Sequence, residues 1–371
     1  MSSLFTKITL WAFVMATSFS EILPAYSEDF QSITQSAEKG DAAAQYKLGV
    51  AYDEGDNVAQ SYTEAEKWFR AAVEQGDSDA QYNLGYIHKN GVGVPQNLVE
   101  ALKWYKLAAK LGNADAQNSL GAMFFIGQGV PQSYVEALKW FKVAAEQGHV
   151  TAQNNLGDMH KNAQGVQQDF AEALKWYGLA AKQGHAAAQT YLGVMYDNGQ
   201  GVELNNAEAV KWYRLAAQQD HAAAQSYLGY MHLKGEGVPR DYVEAAKLIR
   251  LAAEQGVAKA QHNLGVMLSR GMGAPQDDAE AVKWYKLASE QGYARAQFSL
   301  GDSYEKGVGI DRNYSQAYIW YSMVADKRGF ELAARARDRV LKKLTLQELS
   351  EAQQKQSALY EKLKENSDWT P

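Results

Sequence analysis

The chain has 371 residues, 46% of them apolar, with 37 Lys and Arg against 43 Asp and Glu, a formal charge of −6 and no cysteine. The missing cysteine excludes disulfides, thiolate metal sites and a thiol nucleophile. Charges of both signs are interleaved throughout, with no basic stripe of the kind that a nucleic-acid partner requires.

Residues 1–27 carry Lys7, the apolar run Ile8 to Phe19, and then Ala25-Tyr26-Ser27, with small residues where a signal peptidase reads. That order predicts a secretory signal peptide, cleaved after Ser27 or, alternatively, after Ser20. The run is shorter than the ~20 apolar residues that a bilayer span needs. Cleavage would leave no transmembrane span and a periplasmic or secreted product; retention as an anchor is the alternative.

Residues 28–40 read as one capping helix, with Phe30, Ile33 and Ala37 at helical spacing before Glu38-Lys39-Gly40. It resembles the second half of a later unit and would cover the apolar end of a stack.

Residues 41–330 repeat. A Leu-Gly pair ends at Gly49, Gly85, Gly121, Gly157, Gly193, Gly229, Gly265 and Gly301, eight copies spaced 36 residues apart without insertion. A fixed period of this size means stacked supersecondary units, so length counts repeats rather than globular domains. The first helix of each unit begins at Asp41, Asp77, Asn113, His149, His185, His221, Val257 or Tyr293 and carries Ala-Gln, Leu-Gly and an aromatic or His on one face. It stops at a Gly such as Gly91.

The second helix opens on Ser61, Asn97, Ser133, Asp169, Asn205, Asp241, Asp277 or Asn313, each followed three residues later by Glu or, at Gln316, Gln. This is a capping box in all eight copies, with the cap oxygen and the returning side chain each expected to take a backbone N–H. Trp68, Trp104, Trp140, Trp176, Trp212, Trp284 and Trp320 are expected as the large buried knobs. Leu248-Ile249 replaces the Trp-aromatic pair in the sixth unit, the expected soft point; Ala163 and Asp220 stand where other units have Gly. In residues 331–371, a helix from Glu331 to Lys343 and a capped one from Thr345 to about Glu365 are predicted as a C-terminal cap, followed by a tail.

The Ala-Gln, Leu-Gly, Gly-x-Gly-Val and Glu-Ala-x-x-Trp-Tyr-x-x-Ala-Ala-x-Gln-Gly elements resemble the Sel1-like repeat family, relatives of the tetratricopeptide repeats. The resemblance covers about Phe30 to Glu365. It implies an all-α fold, an α/α superhelical solenoid of eight helix-turn-helix repeats. It also implies a non-enzymatic scaffold, without cofactor, that binds a protein or peptide in envelope, secretion or host-contact processes. Some relatives carry a disulfide in each unit and have been linked to penicillin binding; this chain has no cysteine. Ser36-Ala-Glu-Lys39 and Tyr196-Asp-Asn198 faintly match penicillin-recognising enzymes, but no Lys-Thr-Gly follows. An envelope enzyme or cell-wall-binding factor and a purely structural spacer are the alternatives. The histidine rows, His149, His185 and His221, and His88, His160 and His232, are expected to cap and pack. Equivalent residues of successive helices lie ~8 to 10 Å apart and do not converge on an ion.

The variable positions are three before, two before and one after the Leu-Gly glycine. They are expected opposite the apolar stripe, on a first helix that lines the concave groove in tetratricopeptide-like stacks. The candidate partner-binding residues are Tyr46, Tyr82, Tyr86, Asn154, Asn155, Asp158, Tyr191, Tyr227, Tyr230 and Phe298, because tyrosine offers contact area with a polar tip at small rotamer cost.

Overall fold

A computed structural model describes residues 28–325, 327 and 329–365, among which there are 19 helices and no strand. The predicted signal segment 1–27 and the tail 366–371 lie outside the described residues. The described residues fall into two compact units, divided between Gln168 and Asp169.

In the first unit, helix Glu28–Glu38 precedes the pairs Ala42–Glu54 with Tyr62–Val73, Ser78–Asn90 with Leu98–Lys110, and Ala114–Ile126 with Tyr134–Glu146, and then Val150–Lys161. Phe30 and Ala37 bury themselves against Ala44 and Leu48, so the opening helix covers the first repeat. In the second unit, Phe170–Lys182 precedes four pairs: Ala186–Asn198 with Asn206–Ala217, Ala222–Lys234 with Tyr242–Glu254, Ala258–Ser269 with Asp278–Glu290, and Ala294–Lys306 with Tyr314–Ser322. Glu331–Leu341 and Leu346–Glu365 close it, with Val340 and Ala352 buried against Tyr318 and Tyr321.

Within a pair, the contact is made by a glycine and the residue after the tryptophan. Phe69, Tyr105, Tyr213, Ile249 and Tyr321 are each at most 1% exposed. A Cβ built on Gly85 would lie 2.6 Å from the Tyr105 ring, and one on Gly193 2.6 Å from the Tyr213 ring. The Leu-Gly glycine therefore repeats because a ring occupies the space of its missing side chain. Gly85→Ala is expected to destabilise the protein by about 1–3 kcal/mol through this overpacking. Gly178→Ala, in a second helix with nothing within 4 Å, is expected to be neutral or stabilising. Urea unfolding of both variants checks the pair.

Three of the seven tryptophans expected as knobs are buried and four are not. Trp104, Trp176 and Trp320 are buried, but Trp68, Trp140, Trp212 and Trp284 are only half-buried. Trp104 packs with Ala65, Phe69 and Ala72 of the preceding repeat, so the tryptophan joins neighbours while the next residue closes its own pair. Leu248 and Ile249 are both buried, and Ile249 fills the slot over Gly229. The expected soft point is thus a smaller knob in a filled slot, not an opening.

Half of the predicted capping box is present. In all eight repeats the cap side chain accepts the backbone N–H three residues on, as Asn97 does from Glu100. The return bond is replaced: Asn97 N–H donates instead to His88 O at 2.8 Å, with equivalents at Ser61, Ser133, Asn205, Asp241, Asp277 and Asn313. Freed from the box, Glu100 pairs with Lys103 at 3.0 Å. The reciprocal box forms at Thr345, whose N–H donates to Glu348 at 2.8 Å while Glu348 N–H donates to Thr345 Oγ1 at 3.3 Å.

A second repeated bond joins the repeats. Buried Gln117 donates to Ala109 O of the preceding second helix at 3.2 Å and accepts from Gln147 of its own repeat at 2.6 Å. The same pattern recurs at Gln45, Gln189 and Gln261. A buried amide satisfied on both sides explains the Ala-Gln pair.

Candidate interaction face

The first helices are fixed from below by the glycine–ring contact and at their starts by side chains. His149 and His185 accept the N–H of Ala152 and Ala188 at Nδ1, 3.1 and 3.2 Å away, in the capping role expected of that row. His221 departs: its Nδ1 lies 2.9 Å from the Thr190 hydroxyl.

The variable positions are bonded sideways between neighbouring first helices. Asn155 donates to Asn118 Oδ1 at 3.3 Å, and His262 Nε2 lies 3.3 Å from Ser299 Oγ. Tyr46 meets Asn83, and Tyr82 meets Ser119, in the same sense. Burial and then the charge of Asp79 raise the Tyr46 phenol, and burial and then Asp115 raise that of Tyr82. Both hydroxyls stay protonated and able to donate.

The candidate residues divide. Tyr86, 48% exposed, faces solvent. Tyr230 and Asp158 are half-exposed, and Lys161 approaches Asp158 at 3.4 Å. Tyr46, Tyr82, Tyr191, Tyr227 and Phe298 are half-buried, and their rings lie 5.1–5.9 Å from Phe69, Tyr105, Tyr177, Tyr213 and Tyr321. These five therefore do not stand opposite the apolar stripe as expected; each leans its ring on the knob beneath. The cause is size: the ring filling the glycine slot leaves one edge uncovered, and the side chain above covers it. Asn154 is buried and donates to Asp158 at 3.1 Å, while Asn155 is half-buried.

Sequence reasoning passed over the first-helix ends, where Lys234, Lys259, Arg270 and Arg295 are exposed. Lys259 lies 5.4 and 5.7 Å from the Tyr227 and Tyr230 rings, and Lys234 5.5 Å from that of Tyr230. For Lys259 and Arg295 the signal was present: at the second position of the first helix, six residues before the Leu-Gly glycine, the repeats read Ala, Asp, Asp, Thr, Ala, Ala, Lys and Arg. Arg270 also borders an open cleft of about 530 Å³, lined with it by Tyr285, Phe298, Ser299, Asp302 and Lys306 among others. Ser36 and Lys39 sit at the end of the opening helix, with Lys39 exposed.

The Sel1 repeat matches residues 42–77, 78–113, 114–149, 150–185, 186–221, 222–257, 258–293 and 294–328. A Sel1 repeat protein from Oxalobacter formigenes is 31% identical over 88% of this chain and 92% of its own, with a TM-score of 0.62. A protective antigen present in uropathogenic Escherichia coli strains, displaying an SLR fold, is 30% identical over 89% of this chain and 86% of its own, with a TM-score of 0.48. No curated protein matches the chain. Sel1 and tetratricopeptide-like repeat proteins generally act as protein–protein interaction scaffolds and are generally non-catalytic. With eight in-register matches spanning residues 42–328, this helical solenoid belongs to the Sel1 repeat family.

Proposed function

We propose that the protein is an exported scaffold that binds a protein or peptide partner through the face formed by its first helices, in an envelope, secretion or host-contact process. The reading rests on one observation: Tyr86 and Tyr230 emerge from first helices tied sideways to their neighbours, the first through Tyr46 with Asn83 and Tyr82 with Ser119, the second through Thr190 with His221. Side chains held in place before binding lose less entropy on association, and half-exposed tyrosine is the residue type that anchors interfaces. Export rests on the order of charge, apolar run and small residues in 1–27. Among the described residues no helix is long and apolar enough to cross a membrane.

Benzophenone photo-crosslinkers placed at Tyr86 and Tyr230, and at Val99 and Val243 on second helices, test the face. Capture of the same protein from the first pair alone is expected. Capture from Val99 and Val243 alone would move the site to the second helices. Deleting residues 1–19 is expected to hold the protein in the cytoplasm, and undiminished export would refute the signal assignment.

A further inference from the structure

On most second helices, lysine is neutralised within the helix: Lys175 lies 2.9 Å from Glu172, Lys139 pairs with Glu136, and Lys211 with Glu208. The first helices of the second unit are different. Lys234, Lys259, Arg270 and Arg295 have no carboxylate at ion-pair distance among the described residues. The acids on the first helices from Ala186–Asn198 to Ala294–Lys306 are already engaged. Asp302 holds Lys306 at 2.8 Å, Glu305 holds Arg339 at 2.6 Å and accepts the Tyr321 hydroxyl at 2.8 Å, and Asp197 accepts the Tyr213 hydroxyl at 3.5 Å. Four exposed cations thus stand outside ion pairs across three adjacent repeats, with Asp197 near enough to feel Lys259 and Asp278 and Asp302 in the cleft that Arg270 borders. Two of them flank the Tyr230 ring, and Arg270 borders the open cleft.

We propose that this face of repeats six to eight docks an acidic segment of a partner protein, its Asp or Glu side chains meeting Lys234, Lys259, Arg270 and Arg295. The inference rests on the scaffold reading above and supplies the partner's chemistry. The half-exposed ring of Tyr230, and Phe298 in the cleft, suit the carbon stems and backbone between carboxylates. Asp278 and Asp302 in the cleft wall disfavour a polymer with a phosphate on every residue, because like charges brought together are costly. A peptide can place neutral residues there.

The test is fluorescence anisotropy of the full chain with a labelled peptide of alternating Glu and Gly, against a Lys–Gly peptide and an oligothymidylate. Binding of the Glu–Gly peptide alone is expected, weakening as salt screens the charges. The combined Lys234→Gln, Lys259→Gln, Arg270→Gln and Arg295→Gln variant is expected to lose at least about tenfold in affinity. It should keep its helical circular dichroism, since all four side chains are exposed. No binding, equal binding of the Lys–Gly peptide, or unchanged affinity in the variant would each overturn the proposal. Tighter binding of oligothymidylate would replace it with a general polyanion site. Crosslinking from Tyr86 and Tyr230 that survives in the variant would leave the scaffold reading standing while removing the acidic partner.

Discussion

Tyr213→Ala is expected to cost about 3–5 kcal/mol, the range for emptying a fully buried aromatic site. Tyr213 is 0% exposed, closes over Gly193, stacks on Tyr227 with ring centroids 5.1 Å apart and 12° between planes, and donates its hydroxyl to Asp197. Truncation leaves a cavity in the pair, removes the support beneath Tyr227 and frees a carboxylate. Tyr213→Phe keeps the ring and is expected to cost about 1 kcal/mol, the net value of one hydrogen bond. Trp212→Ala, at a half-buried site, is expected within the ordinary range of about 0.5–3 kcal/mol. Thermal and urea unfolding followed by circular dichroism ranks the three. A larger loss at Trp212 than at Tyr213 would return the knob to the tryptophan.

Acid is expected to weaken the second unit through His262. Burial pushes its imidazole from 6.5 down to about 4, with the neighbouring Asn263 side chain opposing and the Arg295 charge acting in the same direction as burial. Its ring is held 5.8 Å from Tyr285 and 5.5 Å from Tyr293. Between those two pH values the unfolded chain takes up a proton that the folded chain refuses. Stability therefore falls as pH drops from 6.5 toward 4 and levels off below, by at most about 3 kcal/mol. Burial lowers His221 as well, with the same sign. His262→Gln isolates the effect: unfolding free energies across this range should slope less in the variant, and an unchanged slope would assign the acid sensitivity elsewhere.

The period of 36 residues and the cap residues were legible because they are local. A cap oxygen reaches an N–H three residues away, and a left-handed glycine ends its own helix whatever packs nearby. All sixteen predicted helix starts, from Asp41 to Asn313, coincide with observed N-cap positions, and all but His221, Val257 and Tyr293 make the side-chain cap bond. What was not legible was which of two adjacent large residues closes its own pair and which reaches the preceding one. Trp104 and Tyr105 differ by one helical step, about 100°, and both are large and apolar. Periodicity alone does not say whether the partner of each is its own repeat or the one before.

The sequence by itself thus determined the helix pairs, their number and the family. Local hydrogen bonding and a fixed register suffice for that. Tertiary structure decided that the knob is Tyr213 and not Trp212, that the glutamate of the capping box yields its place to a carbonyl of the preceding helix, and that Tyr227 rests on the knob. It also decided that Lys234 and Lys259, from different repeats, share the ring of Tyr230. Each of these depends on the distance between residues far apart in the chain, set by the close approach of helices at glycine.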